Sequence, residues 1–314
     1  MPSKNSLTVV IPSFNRHHEI LETINSLIEV DYVAQIIIVD DFSDFDYQSI
    51  PDLKSKKIEI IRNLQNMGES YSVNIGLQYV KTNYVMILSD DDPQPKKLFD
   101  SLQYKIRQDP NFGVYVPSYI QGPFPNVIER TVIAEQASSR DVLDLIICPA
   151  GPGAVLNLRK IKDLQLRNST VRIPSDLIQW LNLALVTDFC AVPESFAFWR
   201  SSRFQGSNKL YTYEGLNEYI RSLSNWILTK DEIRRERMYI SLILRVFQIS
   251  REIQDSKPLK YQTFAQATNL ILSDPKIKTF MFLKAIFFVP LKIVRRKFKR
   301  SLLHYYYRKR ILNV

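Results

Sequence analysis

Continuous apolar runs of four or five residues alternate along the first part of the chain with stretches in which apolar side chains recur every three or four positions. Leu7-Thr8-Val9-Val10-Ile11, ended by Pro12, and residues 35–39, 58–61 and 84–88 read as strands buried on both faces. Between them the spacing predicts helices over residues 18–29 (Ile20, Leu21, Ile24, Leu27, Ile28), 70–80 and 95–106. Strands without inside–outside alternation, separated by helices, predict an α/β fold: a mostly parallel sheet flanked by helices on both faces. Residues 113–116, 154–156 and 188–193 read as further short strands, with 196–200 continuing beyond the last. Residues 138–147, behind a serine cap, and the run after Ser175-Asp176 read as helices. From about Gly206 the pattern is helical only, over 214–227 and 231–253. The chain is therefore expected to divide into an α/β body (1–205), a helical appendage (206–275) and a tail (276–314).

The polar residues that close the strands carry the chemistry. The first strand ends in Pro12-Ser13-Phe14-Asn15-Arg16, the second in Asp40-Asp41, and the fourth in Ser89-Asp90-Asp91-Asp92. Parallel strands bring these ends to one sheet edge, where open α/β sheets bind ligands. Three adjacent carboxylates repel one another, and burying one without a partner is costly. A divalent cation, or a ligand that brings one, relieves the repulsion; a solvated acidic turn before a helix is the alternative. Asn66-Met67-Gly68 and Asn74-Ile75-Gly76 form the pattern N-x-G-x5-N-x-G at a helix entry, two of only eight glycines in the chain.

Charge changes the picture only at the end of the chain. The net charge is +10, but residues 275–314 hold twelve Lys and Arg and no acid, which leaves 30 basic against 32 acidic residues in the body. The body thus gives no reason to expect nucleic-acid binding. Cys148 and Cys190 have no paired spacing and read as buried thiols in a reducing compartment. The N-terminus has no signal-peptide pattern, and no apolar run reaches the ~18 residues of a spanning helix. The tail mixes Phe280, Phe282, Phe287, Phe288 and Tyr305–Tyr307 with Arg295, Arg296, Lys297, Lys299 and Arg300. That combination suits an anionic membrane surface, so the protein is expected to be cytoplasmic and peripheral on the inner membrane face.

Four motifs in order, Val10-Ile11-Pro12-Ser13-Phe14-Asn15-Arg16, Val39-Asp40-Asp41-Phe42-Ser43, the N-x-G-x5-N-x-G element and Leu88-Ser89-Asp90-Asp91-Asp92, resemble glycosyltransferase family 2. The likeness runs from Thr8 to about Arg200, through Ser175-Asp176, Val192-Pro193-Glu194-Ser195 and Trp199-Arg200. It implies the Rossmann-like glycosyltransferase-A fold and inverting transfer of one sugar from a UDP- or dTDP-type donor to a hydroxyl of a glycan or lipid-linked acceptor of the cell envelope. It also implies nucleotide-sugar contacts at Pro12, Ser13, Asn15, Arg16, Asp41, Asn66, Gly68, Asn74, Asp90 and Asp91. Asp41 would meet the base, Asp90 the ribose, Asp92 a Mn2+ or Mg2+ ion, with Asp91 open as ligand, and Asp176 would be the general base. Against the family pattern, Phe42 replaces a glycine, Val73 an arginine and Ser175 a glutamate, and the Q-x-x-R-W signature of processive synthases is absent. The competing readings are a sugar-1-phosphate nucleotidyltransferase, disfavoured by the glycine-free first loop, and a non-catalytic membrane-peripheral scaffold.

Overall fold

The computed structural model describes residues 5–123, 128–134, 152–161, 175–201 and 213–230, with isolated positions at 139, 142, 143, 238 and 242. The expected tail over 276–314, most of the helix over 138–147 and most of that over 231–253 lie outside the described residues. The chain forms two compact units, residues 1–143 with 147–203, and residues 144–146 with 204–314.

The first unit is built on one sheet in which β1 (Leu7–Ser13) lies between β2 (Val33–Asp40) and β4 (Tyr84–Ile87), with β3 (Ile58–Arg62) outside β2; all three pairings are parallel. α1 (His17–Ile28) and α2 (Glu69–Gln78) lie on the crossovers from β1 to β2 and from β3 to β4, the 3-10 turns Tyr47–Ser49 and Pro51–Leu53 on that from β2 to β3, and α3 (Lys96–Gln108) follows β4. β1 is buried along its whole length, and β2 nearly so, which is why their sequences are continuous apolar runs. Beyond β4 the pairing turns antiparallel: β7 (Val155–Asn157) joins β4 to β5 (Val114–Gly122). β6 (Arg130–Val132) pairs with the far end of β5, while β8 (Phe189–Arg200) runs parallel to β5 throughout. α4 (Ser175–Val186) precedes β8 and buries Leu177, Ile178, Trp180, Leu181, Leu183 and Ala184.

Several strand ends differ from the sequence pattern. β1 continues through Pro12, which pairs with Val39. Ser13 O accepts the Asp41 N–H and Val10 O the Leu88 N–H, so the backbone of Pro12 faces the side where pairing with β4 has already ended. Its missing N–H therefore removes no ladder bond. β8 is one strand rather than two pieces, because residues 193–195 bulge out between Val192, opposite Pro117, and Phe196, opposite Ser118. β6 has no counterpart in the sequence reading.

In the second unit the described residues form α5 (Tyr213–Leu228), whose Tyr219, Ile220, Leu223 and Ile227 are buried on one stripe.

The two glycines of the N-x-G-x5-N-x-G element have different physical roles. Gly68 caps α2 at φ 87° and ψ 160°, a region essentially closed to other residues. Gly76 lets α2 press onto the sheet: an added Cβ would stand 2.5 Å from Val10 Cγ1 and 3.0 Å from Val39 Cγ2. Gly76→Ala is therefore expected to destabilise the protein although alanine favours helix by about 1 kcal/mol, since overpacking costs about 1–3 kcal/mol. Urea denaturation should show a net loss in G76A and its recovery in the G76A/V10A double variant.

Candidate active site

Ser13, Asp41 and the acidic run leave three neighbouring strands at the same sheet edge, in the spatial order β2, β1, β4. Ser13 is the bridge between the outer two. Its carbonyl receives the Asp41 N–H at 2.8 Å, and its hydroxyl donates to Asp90 Oδ2 at 2.7 Å.

The acidic turn is buried and gripped from both sides. Asp90, Asp91 and Asp92 are 9%, 6% and 2% exposed, so this is not a solvated turn. From α1, the Thr23 hydroxyl donates to Asp90 O, and Ser26 Oγ accepts the Gln94 N–H. From β8, the Arg200 N–H donates to Asp92 Oδ1 at 2.8 Å. The buried Gln94 side chain joins the two sides: its Nε2 donates to Asp92 O and Phe198 O, and its Oε1 accepts the Phe198 N–H.

Burial pushes all three carboxyls up. Asp90 rises to about 7, chiefly by desolvation and further by Asp91, against the Ser13 hydrogen bond and Arg16. Asp91 is raised by desolvation, opposed first by Arg16, whose Nη1 lies 3.9 Å from Asp91 Oδ2. Asp92 is raised well above the usual range by desolvation and by Asp91, against the Arg200 N–H and guanidinium. The two arginines do not balance the cluster, because Arg16 also pairs with Glu19 at 3.4 Å and Arg200 with Glu22. The turn is short of positive charge.

The other expected contacts resolve into loop architecture. Asp41 Oδ1 accepts from Asn63 Nδ2 and the Met67 N–H, and Oδ2 from the Gly68 N–H, each at 2.8 Å. It thereby holds the loop that leads into α2. Asp40, also buried, accepts the Ser43 N–H and pairs with Arg62 at 2.7 Å. Asn15, at φ 55°, exchanges two hydrogen bonds of 2.9 Å with Asp44 and joins the first and second loops. Phe42 stands at φ 69°, the conformation a glycine would take freely, with its ring 5.4 Å from Arg62 Cζ. Pro12 is buried in β1, Asn66 is exposed, and Asn74 is half-buried within α2. Asp176 is exposed in the first turn of α4, with Oδ1 accepting the Leu177 N–H at 2.8 Å.

Sequence reasoning missed Tyr47, Asn63, Thr23 and Gln94, and gave Arg200 no role. None has a local signature, and each reaches its partner across 22 to 108 residues of chain.

Among the described residues no group of three or more His, Cys, Asp or Glu forms a ready metal cage. Buried carboxylate oxygens that lack cationic balance nevertheless suit a hard divalent ion. Mg2+-type sites commonly use one or two carboxylates and complete their shell from ligand phosphates and water.

A family model described as Glycosyl transferase family 2 matches residues 8–162. A Haemophilus influenzae (strain Rd) protein named as an uncharacterized glycosyltransferase is 33% identical over 115 residues, covering 36% of this chain and 38% of that protein. The chain thus spans about two fifths of the length of that relative. The fold is similar to S. aureus TarS 1–349 in complex with UDP-GlcNAc (TM-score 0.68, 15% identity, 88% of this chain and 82% of that one). It is likewise similar to TarS 1–349 in complex with UDP (TM-score 0.62, 16% identity, 83% and 80%). The mixed sheet, parallel at its centre and flanked by helices, is that shared fold.

Two outcomes follow from this geometry. In EDTA, Asp90 keeps a proton in the folded state between its ordinary value of 3.8 and about 7, where the unfolded chain has lost it. The Asp90 contribution to stability should therefore fall as pH rises across that window, by on the order of 4 kcal/mol, with Asp91 and Asp92 acting in the same direction. Denaturation at pH 4.5 and 7.5 should show a smaller difference in Asp90→Asn; an unchanged difference would exclude Asp90 as its source. Asp41→Ala should lose roughly 3 kcal/mol and speed amide exchange at Met67 and Gly68, because three donors, the buried Asn63 amide among them, lose their acceptor.

Proposed function

Because residues 8–162 are a glycosyltransferase family 2 domain, we propose that this protein transfers one sugar from a nucleotide donor to an acceptor hydroxyl, with inversion at the anomeric carbon. The observation that carries the reading is the buried Asp90-Asp91-Asp92 turn, undercharged and joined through Ser13 to the strand end that bears Asp41. An undercharged acidic turn calls for a cation, and a diphosphate brings one.

The donor is a UDP- or dTDP-sugar. Asp41 has used three of the four acceptor positions of its carboxylate, which leaves one for the imide N–H of a uracil- or thymine-type base. Arg16, already facing Asp91, offers its guanidinium to the donor phosphates, and Asp90 meets the ribose. Asp91 and Asp92 would hold Mn2+ or Mg2+: Asp92 has one oxygen that the Arg200 N–H does not use, and Asp91 faces the more distant Arg16. The bound ion supplies Lewis-acid stabilisation of the departing diphosphate. Asp176 takes the proton from the acceptor hydroxyl. The acceptor oxygen forms the new bond to the anomeric carbon as the bond to the diphosphate oxygen breaks, and the nucleoside diphosphate leaves.

The acceptor is a glycan or lipid-linked glycan of the cell envelope at a membrane face. Support comes from the sequence of 276–314, rich in aromatic and basic side chains. Among the described residues no helix is long and apolar enough to cross a membrane.

Incubation with UDP- and dTDP-sugars and MnCl2 should release nucleoside diphosphate, and EDTA should stop the release. Asp176→Asn and Asp91→Asn should each lower kcat by about 10²-fold or more while the fold persists by circular dichroism. Full activity in both variants would sink the assignment. Cosedimentation should be stronger with phosphatidylglycerol vesicles than with phosphatidylcholine vesicles and should weaken with added salt.

A further inference from the structure

The buried hydroxyl of Tyr47 has no place in the reaction as drawn, yet from the second loop it meets both Ser13 and the Arg16 N–H of the first. We propose that Tyr47 is a positioning residue for Asp90, holding that carboxylate in its donor-facing orientation through Ser13. The proposal rests on the reading of Asp90 as part of the donor site.

Tyr47 Oη lies 2.7 Å from Ser13 Oγ, and the Arg16 N–H donates to it at 3.2 Å; Ser43 also hydrogen-bonds to it. Ser43 in turn accepts the Asn15 N–H at 2.9 Å. The directions are set by counting protons. Ser13 has one O–H, and it points to Asp90 Oδ2 at 2.7 Å. An ionised Asp90 only accepts, so with Asp90 ionised the O–H of Tyr47 points to Ser13 Oγ. The result is a directed chain, from the Arg16 N–H to Tyr47, then Ser13, then Asp90. In a low-dielectric setting each bond polarises the next. Burial also pushes the Tyr47 hydroxyl up, so it remains a donor at neutral pH.

The seat of Tyr47 is rigid. The residue is fully buried and begins the short 3-10 turn Tyr47–Ser49, capped by Asp46, which accepts the Gln48 N–H. Its ring packs 4.7 Å from Phe45, which in turn packs 5.3 Å from His17 at the start of α1. Phenylalanine would fill the same volume and delete only the hub. Ser13 would then lose its donor, and Asp90 would be held by an unanchored hydroxyl.

The test joins Tyr47→Phe with Ser13→Ala. In crystals of Y47F, the Asp90 carboxylate should turn away from Ser13 while β1, β2 and β4 keep their backbone positions. An unmoved Asp90 overturns the proposal. Calorimetric titration with UDP in MnCl2 should show about tenfold weaker binding in each single variant and no further weakening in the double variant, because both changes break one chain. Losses that multiply, or unchanged UDP affinity in Y47F, overturn it as well. If wild-type protein binds neither UDP nor dTDP, the donor reading above fails, and the crystal structures alone decide whether Tyr47 positions Asp90.

Discussion

Three adjacent carboxylates placed out of water at the end of one strand are the constraint around which the first unit is arranged. Their mutual repulsion and lost hydration would unwind an ordinary turn. Here the turn is clamped by neutral dipoles more than by charge: the Ser13 hydroxyl, the Thr23 hydroxyl on the Asp90 carbonyl, the Arg200 N–H on Asp92, and the amide of Gln94 linked to the backbone of β8. Hydrogen bonds of this kind fix geometry without neutralising the site. The clamp therefore leaves a rigid cluster of three carboxyls, each raised above its ordinary value, chiefly by burial. On the proposed function it is preorganised for a cation-bearing ligand, and the ordering entropy is met in folding rather than in binding.

The same edge separates residues that build loops from residues that remain for a ligand. Asp40 and Asp41 are neighbours in one motif. Asp40 is spent on Arg62 and the Ser43 turn, while Asp41 folds the entry to α2 and retains one acceptor position. Asn15 and Phe42 both stand at positive φ, one on either side of the Ser13–Asp41 backbone bond. Asparagine tolerates that conformation, whereas phenylalanine does so at a cost of about 1 kcal/mol or more. The loop is kept because Ser43, Asp44 and Arg62 hold its neighbours. Tyr47 ties the second of these loops to the first through Ser13 and the Arg16 N–H.

The central sheet was legible in the chain because strands buried on both faces must be apolar at successive positions. β1 to β4 and the helices between them follow that rule to within a few residues. The antiparallel part was less legible. β6 is three residues long, and β8 is broken in sequence by Pro193-Glu194-Ser195, which only the pairing with β5 reveals as a bulge. Pro12 looked like a strand end, but β4 stops short of it, and nothing in β1 itself records where β4 stops.

What the sequence determined by itself was local: the periods that make strands and helices, the carboxylates at their ends, and the four ordered motifs that carry the family likeness. What only the tertiary structure decided was partnership. Whether Asp41 is free or engaged depends on Asn63, Met67 and Gly68; the orientation of Asp92 depends on a backbone N–H 108 residues away, and that of Asp90 on a tyrosine in another loop. A hydrogen bond acts over about 3 Å, and chain separation says nothing about which groups folding will bring that close.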